Sequence, residues 1–353
     1  MCDKEPGGPT EPGEGLHRSD PDGPGISRTR CGRGFRYVGP DGAPLTDPEE
    51  LSRVKALAIP PAWREVWICP QPDGHLQAVG TDEAGRRQYV YHQEWQKRRE
   101  VVKYDRMLDF AERLPVIRAQ IAEHLHLQGM VRERVLATAV RLVDLGFFRA
   151  GGEGYARAND TYGVASLLRE HVHRTRGQVV FDYPAKGGKR RRLELVEPDV
   201  ERVIAVLQRH RSAGEGLLAY RVGDGWHDVR SDDVNDYLRE LSGGDYTVKE
   251  FRTWHATVLA AVGVAVATRA ESDTATKRLI THVTREVAEY LGNTPAVARG
   301  SYVDPRIFRL YRRGITIADA LTGLGSAADF GEPATQGEVE TAVRGMLREH
   351  KDA

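Results

Sequence analysis

The stretch Leu291-Gly-Asn-Thr-Pro-Ala-Val-Ala-Arg-Gly-Ser-Tyr302-Val-Asp-Pro305 sets the reading of the whole chain. Gly292 is a helix stop, Thr294-Pro295 is an N-cap followed by proline that restarts a short helical turn, and Asp304-Pro305 repeats that signature. Tyr302 stands between these signals and is the candidate nucleophile. A tyrosine near a helix end is equally an ordinary half-buried packing residue with its hydroxyl at the surface, so its weight rests on what lies upstream.

Four upstream positions offer a cation or an amide to phosphate chemistry. They are Arg149 in Gly146-Phe-Phe-Arg-Ala-Gly-Gly-Glu-Gly-Tyr155, Lys186 in the turn Pro184-Ala-Lys-Gly-Gly188, Arg252 in Lys249-Glu-Phe-Arg-Thr-Trp-His255, and Asn293. Attack on a phosphodiester spreads negative charge over the nonbridging oxygens, and planar guanidinium forks match those oxygens in pairs, which suits Arg149 and Arg252. An alkoxide leaving group needs a general acid, the role open to Lys186 where neighbouring cations make its proton easier to give up. Asn293 can donate an amide hydrogen bond, and a tyrosine becomes a usable nucleophile where surrounding positive charge favours its phenolate. Taken singly, Arg149 also reads as a helix terminator, Lys186 as part of a charged turn, Arg252 as a salt-bridged helix residue and Asn293 as a helix stop. Their joint occurrence favours the chemical reading.

The rest of the chain fits an α+β protein. Residues 1–30 are rich in Gly, Pro, Asp and Glu and read as a disordered tail. From Gly34 short alternating runs appear, Phe35–Val38, Glu65–Cys69, Leu76–Val79 and Gln88–Tyr91, with a capped helix at Asp47-Pro-Glu-Glu50, giving a small β-rich domain over 31–105. Flexible segments are expected near residue 100. Helical periodicity then predicts helices near 109–127, 131–145, 160–174, 199–210, 232–241, 249–268, 276–291 and 338–350, within a larger, mainly helical domain over 106–353. One β-hairpin, 178–196, interrupts it.

Composition narrows the function classes. With 51 basic and 51 acidic residues the formal net charge is zero, so a polyanion site must come from local patches. Cys2, Cys31 and Cys69 form no Cys-x-x-Cys pair, and no run approaches the ~18 apolar residues of a membrane span. These features predict a cytoplasmic protein without a membrane partner. The pairs His124/His126 and His171/His173 fall on expected helices, where a two-residue spacing points the rings apart, so no metal site is assigned.

The order Arg149, Lys186, Arg252, Asn293, Tyr302, in the contexts Gly-Phe-Phe-Arg, a hairpin lysine, Lys-Glu-Phe-Arg-Thr-Trp and Leu-Gly-Asn-Thr-Pro, resembles the type IB DNA topoisomerases of the compact poxvirus and bacterial kind. Leu57-Ala-Ile-Pro-Pro-Ala-Trp63, Gly85-Arg-Arg-Gln-Tyr-Val-Tyr91 and Arg157-Ala-Asn-Asp-Thr-Tyr-Gly163 extend the resemblance, which covers about Arg33 to Tyr311. It implies the catalytic fold shared by tyrosine recombinases and type IB topoisomerases, two lobes closing on duplex DNA, and a monomer acting at the nucleoid. It also implies relaxation of supercoils through a 3′-phosphotyrosyl bond at Tyr302, with no ATP, metal or other cofactor, catalysis by Arg149, Lys186, Arg252 and Asn293, and DNA contacts from Gln88, Tyr89 and Tyr155. Many relatives carry His where this chain has Asn293, and the poxvirus pattern is lysine-rich where this chain has Gly-Gly-Glu-Gly. A tyrosine site-specific recombinase and a non-catalytic DNA clamp are the alternatives; the intact set of five polar positions argues against the clamp, which has no need of Tyr302.

Overall fold

Five short strands, of which the inner strand Leu76–Thr81 is buried along nearly its whole length, build the first sheet. The computed structural model describes residues 15–145, 148–151, 160–175, 177–185, 188–209, 215–267, 272–322 and 336–351. Contacts divide the chain into two units, Met1–Asp105 and Arg106–Ala353. In the first, strands β1 (Ile26–Cys31), β2 (Gly34–Val38), β3 (Arg64–Ile68), β4 (Leu76–Thr81) and β5 (Arg87–Tyr91) form an antiparallel sheet in the order β2-β1-β3-β4-β5. Helix α1 (Pro48–Ala56), capped by the Asp47 carboxylate on the Glu49 N–H, contributes Val54 to a core with Ile26, Ile59, Val66, Ile68 and Ala78.

The expected disordered tail over 1–30 does not hold for its last part, since β1 lies between β2 and β3. Residues 1–14 lie outside the described residues. Two inward positions make the strand. Ile26 enters the core, and buried Arg28 donates to the carbonyls of Ile59 (2.9 Å), Pro60 (2.9 Å) and Trp63 (3.1 Å) while its guanidinium lies 4.2 Å from the Phe35 ring centre. An average over a Gly- and Pro-rich window hides a strand specified by one aliphatic residue and one buried arginine.

Helix α2 runs unbroken over Gln93–Leu125, so the expected flexible segment near residue 100 is helical instead. Pro115 sits inside it and removes the hydrogen bond to the Ala111 carbonyl. Arg344 Nη1 takes up that carbonyl at 3.2 Å, which accounts for the tolerated proline.

The second unit contains α3 (Arg132–Asp144), a sheet of β6 (Val172–Thr175), β7 (Gln178–Ala185) and β8 (Lys189–Leu195), and α4 (Pro198–Arg209). There follow the hairpin β9 (Ala219–Val222) and β10 (Gly225–Asp228), α5 (Ser231–Ser242), α6 (Val248–Val266), α7 (Asp273–Leu291), α8 (Pro295–Ser301), α9 (Pro305–Arg312), α10 (Ala318–Leu321) and α11 (Glu338–Glu349). Helix α6 is apolar on nearly every side and buries Phe251, Trp254, Ala256, Val258 and Ala260, the pattern of a central helix. Thr247 and Glu250 close its N-terminus as a capping box.

The helix expected over 160–174 is absent. Its place is taken by 3₁₀ turns at Val164–Ser166 and Arg169–His171 and by β6, so His171 and His173 do not share a helix. Gly163 packs against Gly151 so closely that a β-carbon on it would come within 2.5 Å of the Gly151 nitrogen, and this approach of two backbones replaces helical continuation.

A buried ionic network ties α11 to the helical core. Asp144 accepts from Arg118 (2.8 Å) and Arg141 (3.2 Å), and Glu340 accepts from Arg118 and from the Trp254 indole at 2.6 Å. Burial opposes ionisation of Asp144, yet Arg118 beside it, with His255, holds its carboxyl well below the usual carboxylate range.

Candidate active site

The site is built on the C-terminus of α7. A helix end leaves its last carbonyls without intrahelical donors. Gly292, in the left-handed region at φ 63°, lets the chain fold back so that its N–H bonds the Glu289 carbonyl (3.0 Å) and the Asn293 N–H bonds that of Ala288 (2.8 Å). That pair of bonds leaves the next three carbonyls over, and each is met by a guanidinium. Arg191 Nη2 donates to Tyr290 O at 2.8 Å, Arg252 Nη2 to Leu291 O at 2.8 Å, and Arg149 Nη2 to Gly292 O at 3.0 Å. Arg149 Nη2 also lies 2.7 Å from Asn293 Oδ1, which turns the amide nitrogen away from it. The negative end of the helix dipole favours all three cations.

Separate elements deliver these side chains. Arg149 follows buried Phe148, whose ring packs edge-on to Phe181 at 4.8 Å and stacks on Tyr183 at 5.7 Å, both on β7. The Arg149 carbonyl then accepts from the Val164 N–H at 2.8 Å. Arg252 comes from central α6 and is only 5% exposed. Arg191 comes from β8, paired opposite Tyr183.

Crowded positive charge marks the electrostatics. Burial first, then Arg149, pushes the Arg252 guanidinium down to about 10; nearby Tyr302 acts in the opposite sense, and Arg191 depresses it further. Burial also lowers Arg191 and raises the Tyr183 hydroxyl to about 12, the latter against the pull of Arg191, Arg252 and Arg149. Arg252 Nη1 and Asn293 Nδ2 are buried without a hydrogen-bond partner among the described residues. Orphaned donors of this kind are costly unless a ligand answers them.

Tyr302 caps α8, and the Arg252 guanidinium lies 5.3 Å from its ring centre. Its backbone is fixed from both sides. The Tyr302 N–H bonds Ala298 O at 3.0 Å, and Thr257 on α6 accepts the Asp304 N–H at 3.1 Å. Asp304 and Arg306, both buried, pair at 2.7 Å immediately beyond.

Four of the residues read from the sequence, Arg149, Arg252, Asn293 and Tyr302, thus meet at one place. Lys186 and Tyr155 lie outside the described residues, although the strands flanking the lysine pair in register as Ala185 with Lys189. Gln88 and Tyr89 belong to the first unit, on edge strand β5. There Gln88 Nε2 donates to Asp82 at 2.9 Å, and Tyr89 stacks with Tyr91 at 6.1 Å.

Arg191 was hidden in the run Lys189–Arg192, which reads as a charged turn. Strand alternation separates its members: Arg190 and Arg192 face outward onto Asp182 and Glu194, while Arg191 turns inward. A cavity of about 510 Å³, lined by Arg149, Arg190, Arg191, Arg192, Glu289 and Asn293 among others, opens beside it.

A half-buried tyrosine beside a buried arginine, joined to a guanidinium-ringed helix end, gathers donors and a hydroxyl of the kind that phosphate chemistry uses. Residues 92–322 match the family described as eukaryotic DNA topoisomerase I, catalytic core, and residues 34–82 match the bacterial DNA topoisomerase IB N-terminal domain. The chain is 28% identical to DNA topoisomerase 1B of Acanthamoeba polyphaga mimivirus over 82% of its own length and 88% of that protein. It is 34% identical to DNA topoisomerase 1 of Daucus carota over 36% of this chain and 15% of that one, and 30% identical to the Drosophila melanogaster enzyme over 44% and 16%. The chain belongs to the type IB DNA topoisomerase family, and its substrate is DNA. Among the described residues no helix is long and apolar enough to cross a membrane.

Proposed function

We propose that Tyr302 is the nucleophile of this topoisomerase. Its oxygen attacks a backbone phosphorus, a 3′-phosphotyrosyl bond forms, and the 5′ oxygen leaves with a proton supplied by Lys186. The cut strand rotates, and the 5′-hydroxyl attacks the phosphotyrosine to restore the phosphodiester and release Tyr302. The phosphodiester energy is kept in the covalent bond, so no nucleotide is consumed.

Arg252, Arg149 and Asn293 bind the nonbridging oxygens as charge builds on them. The observation that carries this reading is the set of unanswered donors next to the tyrosine: buried Arg252 Nη1 and Asn293 Nδ2 have no protein acceptor among the described residues. A phosphate supplies one. Asn293 gives an amide donor where many relatives have imidazole, so it acts through a neutral hydrogen bond.

The residues 31–105 serve as a DNA-binding domain in which Gln88 and Tyr89 touch the duplex, with Tyr155 contributing from the catalytic domain over 106–353. The enzyme works as a monomer in the cytoplasm on nucleoid DNA, through phosphate contacts that weaken with salt.

The test is relaxation of negatively supercoiled plasmid without ATP and with EDTA, comparing wild type with Tyr302→Phe. Relaxation by the wild type alone, with adduct on the 3′ end of the cut strand, is expected. Relaxation by the phenylalanine variant would remove Tyr302 from this role.

A further inference from the structure

Arg191 is a third guanidinium at the site and has no part in the reaction as proposed above. One of its arms, Nη2, is used on Tyr290 O. Its remaining donors are neither buried orphans nor bonded to any carboxylate among the described residues, and the residue lines the same cavity as Arg149 and Asn293. Its two strand neighbours differ, because Arg190 is neutralised by Asp182 at 2.6 Å and Arg192 by Glu194 at 3.0 Å. Arg191 is therefore the arginine of this run whose charge no described carboxylate neutralises, and it is less exposed than its neighbours Arg190 and Arg192 and lines the cavity at the site.

Its placement is specific. Arg191 Nη1 would lie 3.1 Å from a β-carbon on Gly292, so the guanidinium rests against the turn that presents Asn293. The same geometry recurs in Arg149, with one arm anchored on the helix end and the others open to the cavity. An anchored fork loses little conformational freedom when it takes up an oxygen pair.

We propose that Arg191 is a further substrate-contacting residue, which anchors one arm on α7 and offers the other to a nonbridging oxygen of a backbone phosphate in the cleaved strand. This rests on the assignment of Tyr302 as nucleophile.

The experiment uses the full chain and a duplex carrying one site that the wild type cleaves. Covalent adduct formation is followed in a single turnover for wild type, Arg191→Ala and Arg191→Lys, with each phosphate around the site replaced in turn by a neutral methylphosphonate. On the all-phosphate duplex Arg191→Ala is expected to slow adduct formation roughly 10- to 100-fold, with partial rescue by Arg191→Lys, as for loss of a charge-assisted hydrogen bond. At one phosphate position, neutralisation should erase the difference between wild type and Arg191→Ala. A ratio that stays constant at every position would make Arg191 a prop for α7 and overturn the contact, as would equal rates on the unmodified duplex. Because each comparison is made within one variant across substrates, a partly unfolded preparation does not mimic the expected result. Failure of the wild type to form any adduct is a separate outcome, which overturns the nucleophile assignment itself.

Discussion

The Arg252 guanidinium and the Tyr302 ring are held 5.3 Å apart, with the arginine almost fully buried and bonded to the end of α7 through Leu291 O. The contact joins the two parts of the site: in the proposed reaction the cation that receives developing phosphate charge also stands beside the group that attacks. No carboxylate neutralises Arg252 among the described residues, so its charge remains available to the substrate.

Arg252→Lys keeps a cation but loses the planar fork, and Arg252→Ala loses both. Single-turnover adduct formation should slow by about 10- to 100-fold for lysine and by about 10²- to 10³-fold for alanine, with DNA binding much less affected. An alanine variant that cleaves within threefold of wild type would rule out this role.

Gly292→Ala forces a side chain into the left-handed region and toward Arg191. It should lower stability by roughly 1–2 kcal/mol and also slow adduct formation, because the turn carrying Asn293 shifts. Gly314, at φ 80° just beyond α9, provides the control: Gly314→Ala carries similar backbone strain and should leave cleavage intact. Equal cleavage by the two variants would separate the α7 turn from the chemistry.

Asp144 gives a pH-dependent prediction. Its folded-state pKa is depressed, so the stability it contributes is present above the ordinary carboxylate value of 3.8 and is lost as pH falls through the lower folded value. Asp144→Asn should cost about 3–5 kcal/mol at neutral pH by leaving Arg118 and Arg141 short of a partner. Urea unfolding of both proteins should show that gap narrowing below pH 3.8; a gap independent of pH would contradict the linkage.

Arg28→Met tests the first unit. Removing the donor to the Ile59, Pro60 and Trp63 carbonyls should destabilise that unit by roughly 2–4 kcal/mol and open the 57–63 segment to protease. Exposed Arg30 is the matched control, and Arg30→Met should do neither.

Much of the helical framework was legible because capping residues and the apolar period agree, as at Asp47 opening α1, Gly292 closing α7, or Val200, Val203, Ile204 and Leu207 on α4. The grouping of Arg149, Arg252, Asn293 and Tyr302 at one place was legible through their local contexts. What escaped was set by tertiary pairing. β1 depends on Arg28 finding three carbonyls distant in sequence. The break of the 160–174 helix depends on Gly163 meeting Gly151, and β9–β10 went unread because its strands are four residues each. Arg191 is one arginine in a run of three, and only its pairing opposite Tyr183 tells which one turns inward. The convergence on Tyr290, Leu291 and Gly292 involves backbone carbonyls, which carry no side-chain signature at all.

That convergence makes the length of α7 a constraint on the chemistry. Inserting or deleting one residue anywhere along the helix would turn its end by about 100° and move it by about 1.5 Å. All three arginines would lose their acceptors in one step, and Asn293 and Tyr302 would move with the turn. Substitutions on the outer face of α7 leave this register alone, whereas a change of one in the residue count does not. Descendants of this chain are therefore free to vary the outer face of the helix but not its number of residues.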